Sequence, residues 1–169
     1  MQRRFGAPVT GSEKEALSGF LDHYRQVTLD ICKGLSEEQL RRAMTPTGTS
    51  LLGLVKHLAY CEQGWFQEVV AGDKVDYPQY LLDDPEADMR ATDNETAEEI
   101  FELYRQSCDA SRRVLAAASL DDSAKGEAGA YNYNVRWILL HMIEETARHA
   151  GQADVLRELI DGHTGTGYG

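Results

Sequence analysis

The sequence predicts an all-α protein, an antiparallel four-helix bundle with one long crossover between its second and third helices. Apolar residues recur at helical spacing in four long stretches, no run alternates with period two, and β-branched residues nowhere cluster. Stretches of roughly 20 to 28 residues span about 30 to 40 Å at helical rise, which is bundle length.

The first helix opens on a capping box, Ser12 to Glu15, carries Leu17, Phe20, Leu21, Tyr24, Val27 and Ile31 on one face, and ends at Gly34. The second opens near Thr49 or Ser50 and runs through Leu51, Leu54, Leu58, Trp65 and Val69 to Gly72, a natural residue just past a helix end. A third begins with the capping box Thr96 to Glu99 and proceeds through Ile100, Leu103, Val114 and Leu115 to about Ser119. The fourth runs from about Asn134 to Asp161 and stops at Gly162. Residues 73 to 95 are acidic, contain Pro78 and Pro85, and are far longer than a tight helix connection. They read as a crossover or lid, with residues 77 to 82 compatible with a short helix. The expected domain covers residues 1 to 163, followed by a Gly-rich mobile tail, 164 to 169.

Composition excludes several functions. A formal net charge of −11, with 17 Lys and Arg that form no basic stripe, argues against nucleic acid and anionic membranes. No apolar run approaches the roughly 20 residues of a membrane span, and the first residues lack the apolar core of a secretory signal. A cytoplasmic location is therefore expected, with Cys32, Cys61 and Cys108 as reduced thiols, since they are odd in number and lack C-x-x-C spacing. Apolar helix faces are also compatible with a homodimer.

Candidate chemistry sits on the fourth helix. Its stripe reads Val135, Ile138, Met142, Glu145, His149, Gln152, Leu156, Leu159, which places Glu145 and His149 one turn apart on the core side. A carboxylate there costs several kcal/mol unless paired or neutralised. His57, between Leu54 and Cys61 on the second helix, is the natural third donor. Such a His₂Glu set accepts zinc, nickel or iron and leaves a coordination position open. His141 lies about 12 Å from His149 along the axis, too far to share an ion with it, and His23 and His163 lie at a stripe edge and near the tail. The plainer alternative is a Glu–His pair that fixes helix register by hydrogen bonding; H-E-x-x-H is absent.

The segments LLGLVKHLAYCEQGWFQEVVAG and VRWILLHMIEETARHAGQADVLRELIDG, with FLDHYRQVTLDICKGLSEEQLRR of the first helix, resemble the DinB superfamily, in particular its actinobacterial DUF664 or mini-circle type. The resemblance implies a four-helix bundle that binds a divalent metal through one histidine of helix two and an H-x-x-x-H pair of helix four. Here the first of that pair is Glu145, so the implied metal ligands are His57, Glu145 and His149, and Gln152 stands where close relatives often have histidine. The His-Glu-His set is similar to that of mycothiol-dependent maleylpyruvate isomerase. The resemblance thereby implies a metal, zinc foremost, that activates a low-molecular-weight thiol such as mycothiol for S-transfer to, or isomerisation of, a small electrophile. Arg148 is the candidate for holding a carboxylate of thiol or substrate, and Trp65, Phe66, Tyr131 and Tyr133 are candidate pocket walls. Two other classes compete: a non-catalytic metal- or ligand-binding stress-response module, and a metal-dependent hydrolase with Glu62 as its base.

Overall fold

The computed structural model describes residues 7–84, 86–126 and 132–164. Four long helices carry the fold. Helix α1 is Glu13–Ile31, α3 is Leu51–Glu62 with a π-helical continuation over Gln63–Val70, α5 is Ala97–Ala117 and α6 is Val135–Asp161. Two short helices, α2 (Glu37–Arg41) and α4 (Gln79–Asp83), lie in the connections, together with a 3-10 turn at Ala87–Met89. Among the described residues there is no strand beyond an isolated bridge between Ser123 and Asn134, and no helix is long and apolar enough to cross a membrane.

Local chemistry explains the helix ends. Ser12 and Thr96 each accept from the backbone N–H three residues on, while Glu15 and Glu99 reach back to the cap N–H, so both expected capping boxes form. Ser36 and Gln39 form a third on α2, a helix too short for periodicity to reveal. Ser50 caps α3 and Asn134 caps α6. The α6 helix ends at Gly162, whose φ of +77° suits glycine.

Cross-helix contacts fix direction. Arg25 of α1 meets Glu62 of α3, with Leu21 and Phe66 in one core cluster and Ile31 and Leu51 in another, so α1 and α3 are antiparallel. By contrast Arg136 bonds Glu13 near one end of α1 and Arg157 bonds the Ile31 carbonyl at the other, so α1 and α6 run parallel. Lys56 pairs with Glu95 just before α5 and Gln63 with Ser107 further along it, so α3 and α5 are parallel too. The long crossover exists to return the chain to the starting end of α3.

Three expectations need correction. The second helix is not uniformly α-helical to Gly72: beyond Glu62 the backbone widens into π turns, with Ala71 N–H donating to the Phe66 carbonyl five residues back. The face of α1 is not wholly apolar, because Arg25 and Thr28 are buried there while Phe20 is exposed. On α6 the buried line follows Met142, Thr146, His149, Ala150 and Ala153, so Gln152 and Leu159 are exposed and Glu145 lies at the rim. The reason is geometric: alternating three- and four-residue steps average 3.5 residues per turn, and a straight α-helix drifts off that line by ~20° per heptad.

Candidate metal centre

The site is built where α3 and α6 cross in opposite directions. His57 lies within the N-capped α3, and α6 brings Glu145 and His149 from one successive turn to the next. Glu145 Oε1 is 3.2 Å from His57 Nε2 and 3.0 Å from His149 Nε2, and the two rings meet edge to face with centroids 4.9 Å apart. All three donor atoms lie within 4.8 Å of one another, a group able to hold a metal ion. Both side chains at the mouth keep part of their surface open, 19% for His57 and 20% for Glu145, so the centre is reachable from solvent.

Each imidazole is braced from behind. His57 Nδ1 lies 2.7 Å from Asp88 Oδ2, and His149 Nδ1 lies 2.8 Å from Gln152 Oε1. With each Nδ1–H donating to its oxygen, both Nε2 atoms are turned toward the Glu145 oxygen, the arrangement in which outer partners set ring orientation and ligand basicity at metal sites. Gln152, where the resemblance left a role open, holds the His149 ring from behind and is not one of the three converging donors. Asp88 is a site residue that sequence periodicity missed, since it lies in the irregular crossover. That segment is clamped on α3: Lys56 Nζ, fully buried, donates to the Arg90 carbonyl at 2.9 Å and to Glu95 Oε2 at 2.8 Å, and its ammonium stands 4.7 Å from the Tyr80 ring. A Cβ at Gly53 would run into the Met89 carbonyl oxygen, so glycine is what lets the crossover approach closely enough to present Asp88.

Charge is finely set without a cation. Burial works against a charged His57, yet hydrogen bonds to Asp88 and Cys61 prevail and push its pKa up to about 11. Burial likewise opposes a charged Glu145, but the bond to His57 and the nearby His149 hold its pKa below the usual carboxylate value. A bound metal would take the place of the His57 Nε2 proton. Cys61 Sγ stands 3.3 Å from His57 Nε2, and burial raises its pKa despite that neighbour; its thiol is the one of three free cysteines that is not buried.

A cleft of about 390 Å³ opens beside the centre, walled by Tyr60, Cys61, Gly64, Trp65 and Asp88. The π segment forms one side of it, a deformation that recurs at functional sites. Trp65 packs edge-on against His141 at 4.7 Å, within an aromatic group completed by Tyr133 and Trp137. His141 is therefore engaged in that wall and not in the donor group. Phe66 is fully buried near Arg25 and is no wall of the cleft, while Tyr131 lies outside the described residues. Arg148 is exposed on the outward face of α6, ~100° round from His149, and is not brought to the cluster. Glu62 is buried and bound through both oxygens to Arg25, at 2.8 and 2.5 Å, so it is not available as a hydrolytic base. A larger cavity of about 580 Å³ between α1 and α5 has no comparable donor group, and chemistry rather than volume locates the site.

Comparison with known proteins agrees with this architecture. Residues 16–162 match the family model described as mycothiol-S-transferase. A conserved protein from Enterococcus faecalis superposes with a TM-score of 0.64 at 15% identity, over 91% of this chain and 100% of that one, a likeness of fold alone. No curated protein matches the sequence.

Proposed function

Because this chain belongs to the mycothiol-S-transferase family, which is DinB-like, we propose that it is a metal-dependent S-transferase joining a low-molecular-weight thiol of the mycothiol kind to a small electrophile. The observation that carries this reading is the convergence of His57 Nε2, Glu145 Oε1 and His149 Nε2, with both rings braced at Nδ1. Two neutral nitrogens and one carboxylate suit zinc, with nickel and iron as alternatives, and leave room for a further donor. A divalent cation held there supplies the positive charge that keeps a thiol sulfur deprotonated near neutral pH.

The chain's own residues do the rest. Asp88 and Gln152 fix the tautomers, so the ring nitrogens are presented without reorganisation. Glu145 balances part of the cation's charge and leaves the site electropositive enough to favour a thiolate. Cys61 and Trp65 line the cleft through which thiol and electrophile would reach the centre, with the aromatic wall limiting water. In the transfer, the thiol gives its proton to solvent, its sulfur lone pair forms the S–C bond, and the electrophile's leaving group departs with the bonding electrons.

The test is calorimetric titration of metal-loaded protein with mycothiol in two buffers of different ionisation enthalpy, followed by turnover with a small electrophile. Metal-dependent binding with release of about one proton, lost in Glu145→Ala, supports the reading. Thiol binding without metal dependence or proton release would sink it, and proton-coupled binding with no transfer to any electrophile would leave a binding module in its place.

A further inference from the structure

Helix α6 has a second apolar face. At 100° per residue, Trp137, Leu140, Glu144, Arg148, Gly151, Val155 and Leu159 fall on one side, turned away from the core line. Trp137 is 44% exposed, Leu140 49%, Val155 57% and Leu159 60%. A helix apolar on opposite sides is normally covered on both. Phe20 of the neighbouring α1 is also 42% exposed, at about the level of Ile143 by the Glu13–Arg136 register.

Two further features say what covers it. Gly151 sits in mid-helix, where glycine weakens the helix, yet among the described residues a Cβ there would meet nothing within 4 Å. The monomer has no need of that glycine; a closely approaching backbone does. Glu144 and Arg148 are both exposed and four residues apart, and no ion pair is formed by either among the described residues. Their charges are free to meet a complementary pair, and the patch centre is locally neutral on a chain of net charge −11.

We propose that α6 pairs antiparallel with α6 of a second copy of this chain about a two-fold axis at the level of residue 146. That axis places Glu144 opposite Arg148 of the partner subunit, and Arg148 opposite Glu144 of the partner subunit. It sets Trp137 against Val155 of the partner subunit, and the turn at Gly151 against the turn that carries His141 of the partner subunit, where the missing side chain lets the two backbones approach. The interface is isologous, so each contact occurs twice. It also covers the outer side of the aromatic wall, since Trp137 stacks on His141, which touches Trp65 of the cleft.

Sedimentation velocity over a micromolar-to-millimolar series tests this on the full chain. A species of twice the 18.8 kDa chain mass is expected. Glu144→Arg and Arg148→Glu should each weaken association by roughly tenfold or more, and the double exchange should restore it to within about threefold. Gly151→Leu should also weaken it; this variant folds, because the position is open and leucine is the better helix former. A wild-type monomer throughout the series, a dimer indifferent to Gly151→Leu and to both single charge reversals, or a double exchange that fails to restore association would each overturn the proposal.

Discussion

Replacing Asp88 with alanine removes the oxygen that holds His57 Nδ1 at 2.7 Å and leaves every metal-facing atom in place. Outer partners of this kind contribute 10- to 100-fold to metal affinity, about 1.4–2.7 kcal/mol. The structure points to the lower half of that range, because the Asp88 side chain is 18% exposed and water can partly replace it. A rise of roughly 10- to 30-fold in the zinc Kd is expected, measured by competition with a chromophoric chelator at fixed pH. Asp88→Asn keeps an acceptor and loses only charge, so its effect should be smaller. Gly53→Ala supplies an independent check: it leaves all five polar side chains of the site intact and displaces the crossover through the clash with the Met89 carbonyl. It should weaken zinc binding in the same direction. An Asp88→Ala protein with unchanged Kd would refute the bracing argument, and one that loses metal as completely as His57→Ala would mean that Asp88 is itself a ligand.

Other perturbations follow from the same contacts. His149→Ala should abolish stoichiometric metal binding by elemental analysis, whereas His141→Ala should retain the metal, because the His141 ring packs on Trp65 and Trp137. Zinc affinity should fall as pH falls, since the metal competes with the His57 proton. In metal-free protein the sign reverses for folding: a His57 pKa raised from 6.5 to about 11 gives stability fully present below pH 6.5 and lost as pH rises toward 11, which denaturant titration at several pH values would read. Glu62→Gln leaves Arg25 charged and only partly matched by Asp22 in the core. Breaking a buried pair in this way costs about 3–5 kcal/mol, so Tm should drop by roughly 6–20 °C, and a drop below about 2 °C would contradict the burial argument.

The long helices and the Glu145–His149 pair were legible because their signals are local, and His57, 88 residues from Glu145, was legible from its place beside the apolar stripe of its own helix and from the family resemblance. Capping boxes span three residues, and Glu145 and His149 are one turn apart on a line that is apolar apart from them and Gln152. Asp88 was not legible: it sits 31 residues from its partner in a segment rich in equivalent carboxylates, and only the fit of Gly53 beneath Met89 selects it. Arg25 and Glu62 were hidden for the opposite reason, since each alone resembles a solvated residue and only their mutual neutralisation permits burial. The π turns after Glu62 carry no pattern of their own, because a change of a fraction of a residue per turn is smaller than the spread of apolar positions.

The parallel packing of α1 on α6 has a consequence for how the chain is made. A ribosome releases α1 more than a hundred residues before α6, yet Arg157 of α6 caps the carbonyls of Ile31 and Lys33, and the core residue Leu21 shares its cluster with Val135 and Met142. The part of α1 that packs on α6 therefore waits uncovered until α6 has been made, and contacts of such long sequence separation form slowly. On stalled ribosomes, protease resistance of the α1 segment should appear late and abruptly, once α6 has cleared the exit tunnel, rather than growing with each helix released.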